Sequence, residues 1–365
     1  VKKPFDLLRE VARFGKSQGL SLNDPEMPAA FGLHVDDSMK QAMSDPIFLQ
    51  GLRAEAMFEN LVTSLGEVVM IKPEDTGPLA SATPMQAPDF RIVLKDGSNW
   101  LVEVKNVYVK NAFRQRRRIL TRDYRRALTK YACATGGTLK LAVFWARWSV
   151  WTLVDPEQLA PGDQDLTLDM MTAVKANEMA SVGDQTLGLR APLVLRLTMD
   201  PDRTGEIGDD GTVLVTIGKA QLFCEGKELL HPHDQQIAWT VMNYSDWETP
   251  AARAIVDGSR LLAIEFESNP PELSYQGFEM AGSLSRMFAH YYAQRTMSDG
   301  EITDISAPIQ SEWFGALRAS EGLGRMPLWR FHQQPNYDDF QPAAAGRHAV
   351  VSLPRTNILE HKPTD

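Results

Sequence analysis

Apolar residues recur at helical spacing in several stretches of the chain and alternate or run together in others, and this pattern lays out its elements. Between about Pro46 and Leu65, Leu52, Phe58, Leu61, Val62 and Leu65 mark one face of a helix that Gly66 ends. Before it, Phe5 to Lys16 reads as a short helix and Ser21 to Asp45, with its prolines and aspartates, as a connector. After it, Val68 to Ile71 reads as a short strand and Lys72 to Ala87 as a loop. Phe90–Leu94 and Trp100–Val104 are strand-like runs around Lys95-Asp96-Gly97-Ser98-Asn99, a hairpin turn built on Asp-Gly. Asn111 to Ala134 reads as one helix, with Phe113, Leu120, Tyr124, Ala127, Leu128 and Tyr131 as its apolar stripe. Apolar strands follow at Thr138–Trp145 and Val150–Val154, and others are expected near Leu193–Leu197 and Val213–Ile217. From about Glu248 the pattern reads as helical, most clearly over Phe278–Thr296, and beyond Pro335 as loop. The expected organisation is an N-terminal helix and connector over 1–45, an α/β core with added strands over 46–245, and a mainly helical region over 246–365.

Charge changes this picture locally rather than globally. The 365-residue chain carries a formal net charge of −9, which argues against a polyanionic partner. Yet residues 89–130 hold twelve Lys and Arg against four Asp and Glu, a balance of +8 that leaves −17 for the rest. Arg114, Arg118, Arg122, Arg126 and Lys130 recur every four residues, largely off the apolar stripe, and with Lys110 they form a candidate phosphate-binding ridge. Two cysteines exclude a disulfide framework and read as buried thiols in a reducing cytoplasm. The charged opening segment does not read as a secretory leader, and no apolar run is long enough to span a bilayer, so no membrane role is expected.

The chemistry concentrates at the hairpin. Asp89 opens its first strand, and Glu103 and Lys105 close its second, two positions apart and therefore on one face. Antiparallel pairing brings the start of one strand beside the end of the next. Two carboxylates and an ammonium then converge where unpaired charge would be costly. Oxygen donors of this kind hold Mg²⁺, with Mn²⁺ as the alternative. An adjacent cation favours deprotonation of water and neutralises developing charge. His231 and His233 flank a proline in a loop, and the acidic stretch Asp200–Asp210 lacks EF-hand spacing, so neither reads as a metal site. No P-loop, dinucleotide fingerprint or Gly-x-Ser-x-Gly elbow is present.

Pro88-Asp89 followed by Glu103-Val104-Lys105 resembles the PD-(D/E)XK nuclease superfamily, the restriction-endonuclease-like fold. The preceding helix, Ala54 to Val62, is similar to the superfamily's first core helix, with Glu59 as the accessory acidic residue and Glu55, a turn earlier, as its substitute. The resemblance covers roughly residues 45–155 and implies a mixed sheet flanked by helices. It implies Asp89, Glu103 and the Val104 carbonyl as metal ligands, Lys105 as the residue positioning the attacking water, and Glu59 as an outer ligand. The implied activity is Mg²⁺-dependent endonucleolytic hydrolysis, of DNA rather than RNA, in a setting of restriction or phage defence. The alternative is a catalytically inactive nucleic-acid-binding or assembly protein on the same fold. The C-terminal region is expected to serve dimerisation or a partner protein.

Overall fold

The computed structural model describes residues 5–74, 81, 83–248, 251–274, 276–308, 317 and 326–338. The expected loop over 72–87 therefore lies partly outside the described residues, and most of the tail beyond Pro335 wholly so.

Three helices lead into the sheet: α1 (Phe5–Gln18), α2 (Met27–Met43) and α3 (Pro46–Leu65). The connector expected over 21–45 is thus largely helix. Pro28 sits in the first turn of α2, where a missing N–H costs nothing, so it starts the helix instead of breaking it. α3 has the expected bounds. The Asp45 carboxylate accepts from Ile47 N and Phe48 N at 2.9 and 3.1 Å, and Gly66 closes the helix in the left-handed region at φ 79°.

Next come β1 (Val68–Pro73), β2 (Phe90–Leu94), β3 (Asn99–Val107), β4 (Arg117–Leu120), α4 (Arg122–Ala134), β5 (Thr138–Trp145) and β6 (Val150–Val154). Five of these strands form a mixed sheet in the order β1-β2-β3-β5-β6, with β3 and β5 parallel and the other pairs antiparallel. The fold is mixed α/β, as the pattern implies. Both faces of the sheet are covered. Val102, Val104, Phe144 and Trp151 pack with Phe58 and Leu61 of α3. Leu101, Leu141, Val143 and Trp145 pack on the other side with Leu128 and Ala132 of α4. Each such side chain contributes about 1.5–3 kcal/mol on burial.

The helix expected over 111–134 is shorter. Its first part is a turn followed by β4, which pairs with β7 (Leu166–Leu168), and the helix begins only after Thr121. The Thr121 side chain, with extended backbone, accepts from Tyr124 N at 3.3 Å, a cap that sets the start of α4. The four-residue repeat of arginines therefore does not form one ridge, because Arg114 and Arg118 precede the helix.

Beyond α5 (Pro156–Leu159) and α6 (Met170–Lys175) come β8 (Thr186–Leu189), β9 (Leu193–Met199), β10 (Ile217–Cys224), β11 (Lys227–Glu228) and α7 (Pro232–Tyr244). They are followed by β12 (Arg253–Asp257), β13 (Arg260–Ser268), β14 (Glu279–Ser283) and α8 (Leu284–Thr296). A second sheet runs β11-β10-β9-β13-β12, and a third joins β14, β8 and Leu328–Phe331. The mainly helical C-terminal region is thus a correction. Among the described residues beyond 246, α8 is the only helix longer than one turn, and strands dominate. Burial along β13 alternates over Arg260–Glu265, the mark of a strand with one covered face. The strand expected over Val213–Ile217 begins only at Ile217, and Val213–Thr216 belong to the loop before it.

The second sheet takes strands from both sides of residue 246. No helix among the described residues is long and apolar enough to cross a membrane.

Candidate active site

The hairpin sets the site. Gly97 occupies the left-handed region at φ 86° and its N–H donates to the Leu94 carbonyl at 3.0 Å, closing the turn. Pairing of Phe90 with Val102 and Arg91 with Leu101 continues to place Asp89 opposite Glu103. The junction is tied by Val104 N, which donates to Asp89 Oδ2 at 2.7 Å.

Glu103 lies on the face of β3 turned to α4 and is 1% exposed. One of its oxygens, Oε1, accepts from Lys105 Nζ and, at 2.7 Å, from the Tyr124 hydroxyl. The other, Oε2, is buried with no hydrogen-bond partner. The ammonium of Lys105 also lies 5.6 Å from the centroid of the Tyr124 ring, and the side chain stays about a third exposed. An ionised carboxylate with one fully desolvated, unpaired oxygen is a costly arrangement in an otherwise well-paired interior. A cation would relieve it.

The electrostatics of Asp89 agree. Burial first, then the charge of Glu103, pushes its carboxyl up from the ordinary 3.8 to about 7, against the lowering effect of the Val104 N–H. Glu55 on α3 is raised as well, by burial first; Lys105 lowers it and Glu103 raises it further.

A pH dependence follows. The folded, metal-free protein holds the Asp89 proton up to about 7, whereas the unfolded chain releases it near 3.8. The folded state therefore binds more protons between those values, and this group's contribution to stability falls as pH rises through the window. In chelator, Asp89→Asn is expected to melt several degrees above the wild type at pH 8 and level with it near pH 4. Identical melting profiles across that range would contradict this assignment.

Asp89, Glu103, Lys105 and the Val104 backbone are thus gathered at one point. Glu59 is not. It is half-buried, shares none of these hydrogen bonds or ion pairs, and its carbonyl accepts from Thr63 Oγ1 at 2.8 Å. Glu55, about 40° away on the helix, is the α3 glutamate whose charge reaches Asp89, Glu103 and Lys105. Tyr124, read from the sequence as part of an apolar stripe, brings its hydroxyl into the site. Its signal was chemical, since a buried tyrosine hydroxyl requires a partner. Among the described residues no three His, Cys, Asp or Glu side chains are grouped to hold a metal ion. A cation at this point would rest on the Asp89–Glu103 pair and on backbone oxygen.

The basic zone is more neutralised than its sequence suggests. Arg118 pairs with Asp165 at 3.5 Å, Arg126 with Asp163, Arg116 with Asp169 at 3.7 Å and Arg122 with Asp123 at 3.2 Å. Arg125 is buried against Glu157 and the Gly162 and Gln164 carbonyls. The acidic segment after Pro156 folds back onto the arginines. Among the described residues Lys110, Arg114, Arg117 and Lys130 have no ion pair, and the first three of these are exposed. Elsewhere, His231 caps α7, its Nδ1 accepting from His233 N at 3.2 Å, so this segment starts a helix instead of forming a loop. Cys133 is exposed and Cys224 buried, which corrects the expectation of two buried thiols.

No protein-family model matches the chain, and no curated protein matches it. Among solved structures, a Holliday junction resolvase, Hjc, from Archaeoglobus fulgidus is similar in part. It is 16% identical with a TM-score of 0.23, over 32% of this chain and 88% of that one.

Proposed function

We propose that this chain is a metal-dependent nuclease of the PD-(D/E)XK type, hydrolysing phosphodiester bonds in DNA, with the mixed sheet as a restriction-endonuclease-like core. The observation that carries this reading is the buried, unpartnered Oε2 of Glu103, set beside Asp89 and Lys105 where β3 leaves the core. Asp89, Glu103 and the Val104 carbonyl would hold Mg²⁺, or Mn²⁺ in its place. When bound, the ion supplies Lewis-acid polarisation of the phosphate and charge stabilisation at the departing oxygen.

The protein's own residues do the rest. Val104 N fixes the Asp89 carboxylate, and the Tyr124 hydroxyl fixes that of Glu103. Lys105 orients the attacking water and offsets the negative charge that grows on the phosphate as the P–O bond breaks. Glu55 takes the outer acidic role that the sequence assigns to Glu59. Lys110, Arg114 and Arg117 are the exposed cations open to phosphates and Lys130 a half-buried one, while Arg118, Arg122 and Arg126 engage a strand only by giving up their carboxylates. A setting in restriction or phage defence fits a nuclease core with added sheets.

The test is cleavage of supercoiled plasmid with Mg²⁺ and with EDTA. Nicked or linear product is expected with the ion, from the plasmid or from a single-stranded DNA circle offered beside it, and none with chelator. No metal-dependent cleavage of duplex, single-stranded or RNA substrates would overturn the reading in favour of a protein that binds nucleic acid without cutting it.

A further inference from the structure

Beyond Lys105, the end of β3 separates two hollows, one continuing from the proposed site and one that the chemistry above does not use. On the α4 side, an open groove of about 270 Å³ runs from Lys105 past Tyr108 to Arg117 and Arg118. On the α3 side, a more enclosed and mainly apolar pocket of about 330 Å³ is walled by Phe144, Ala146, Ala289 and Met297, with Arg53 and Arg147 in its polar lining. Asn106 and Tyr108 line both, so the two spaces meet at the strand end.

Three features of this junction ask for a ligand. The first is Asn106. Its Nδ2 donates to the Gln50 carbonyl at 3.4 Å, and its Oδ1 is buried with no partner. Turning the amide over would set two oxygens against each other, so the unpaired acceptor is the Oδ1. A buried acceptor left unmade costs about 1–3 kcal/mol. The second is Tyr108, a residue 57% exposed that lines a mainly apolar pocket. The third is charge: Lys105 and Arg117 line the groove immediately beside it, and Arg117 has no ion pair among the described residues.

A nucleotide has the matching parts. Its phosphate suits the cationic groove, its planar base suits the Tyr108 face and the apolar walls, and an exocyclic amino or ring N–H suits the Asn106 acceptor. The pocket lies at the small end of ligand-site volumes, fit for one base. A base inside a duplex is stacked and its Watson–Crick edge is occupied, so only an unpaired or extruded nucleotide reaches these groups.

Resting on the nuclease reading of the site, we propose that the substrate carries an unpaired nucleotide next to the scissile phosphate, its base seated between Tyr108 and Asn106. Such a substrate is a single strand, an end or a branch rather than continuous duplex. The groups named contact phosphate and base, which DNA and RNA share, so an RNA single strand is expected to bind much as a DNA single strand does.

The test is binding by the full chain in EDTA, where no cutting occurs. A short oligonucleotide containing 2-aminopurine is offered as DNA single strand, as RNA single strand and as fully paired DNA duplex. The single strand is expected to bind about tenfold or more tightly than the duplex, with the base fluorescence quenched by stacking. Tyr108→Ala is expected to weaken single-strand binding by about five- to hundredfold while leaving duplex binding unchanged. Asn106→Leu, similar in volume, is expected to weaken it in the same selective way, most for bases with an amino group facing the acceptor. Equal affinity for single strand and duplex overturns the proposal, as does a Tyr108→Ala protein with wild-type melting and wild-type single-strand binding. A protein that prefers unpaired nucleotides yet cuts nothing with Mg²⁺ overturns the nuclease reading alone; one that cuts plasmid without this preference overturns the nucleotide pocket alone.

Discussion

Lys105→Ala is expected to lower single-turnover cleavage by about 10²–10³-fold at saturating Mg²⁺, the loss typical when one preorganised donor to a developing oxyanion is removed. The ammonium is held by Glu103 at one end of the groove that runs toward Arg117, where a scissile phosphate would lie. Asp89→Ala is expected to lose at least as much, because the cation would be left with a single carboxylate. The two variants separate by their metal response. Raising Mg²⁺ concentration should recover part of the Asp89→Ala activity and none of that of Lys105→Ala, since only the former acts through ion affinity. Quenched-flow cleavage across a metal titration measures both, and wild-type rates in both variants would remove these residues from the reaction.

The largest expected effect on stability lies elsewhere, at a charge cluster under β5. Lys140 is buried, with its ammonium 2.7 Å from Glu178 Oε2 and 3.3 Å from Asp155 Oδ2, and 5.2 Å from the Trp100 ring centroid. Tyr337 closes the cluster by donating to Glu178 Oε1 at 2.6 Å and accepting from Asp155 N at 2.8 Å. Glu178→Ala leaves Lys140 underpaired and the tyrosine hydroxyl without its acceptor. Breaking such a buried set from one side costs about 3–5 kcal/mol, or roughly 10 °C in Tm. Replacing Lys140 and Glu178 together by methionine is expected to restore part of that loss, because the buried ammonium leaves with its partner while Asp155 keeps its hydrogen bonds from Glu157 N and Gln158 N. Calorimetric melts decide the matter: a shift of Tm under about 2 °C for Glu178→Ala would show that the cluster is not holding the fold.

How far the site was legible in the sequence can be traced residue by residue. α3 and the hairpin carry local signals that agree with their tertiary roles: Gly66 and Gly97 stand where left-handed backbone is needed, and apolar runs stand between them. Antiparallel register then brings Asp89 to Glu103 without further information. Glu55 and Glu59 differ by so small an angle on the helix that only packing against β3 selects between them. The arginine run misleads because spacing by four is a helical signature, whereas Thr121, a capping residue inside the run, marks where the helix starts. Pro28 misleads in the opposite sense, since a proline in the first turn begins a helix and one in the middle ends it. Pairing of Arg118 and Arg126 with Asp165 and Asp163 joins segments far apart in the chain, beyond the reach of any local pattern. The same holds for strands β9 and β13, whose partnership decides the architecture of the second sheet.

The four-residue turn around Gly97 has a consequence for how the carboxylate pair can vary. Side chains on a strand alternate between two faces, so Asp89 has only two kinds of neighbour available across the hairpin. In the present register it meets Glu103; displaced by a single residue it would meet Val102 or Val104, both committed to the opposite core. The pairing at this site is therefore quantised. Drift in the length of the turn by one residue does not loosen the carboxylate pair by degrees but abolishes it, whereas a change of two returns the strand to the same face with a different residue presented. The turn acts as the ruler for a carboxylate pair held at the far end of the strands it joins.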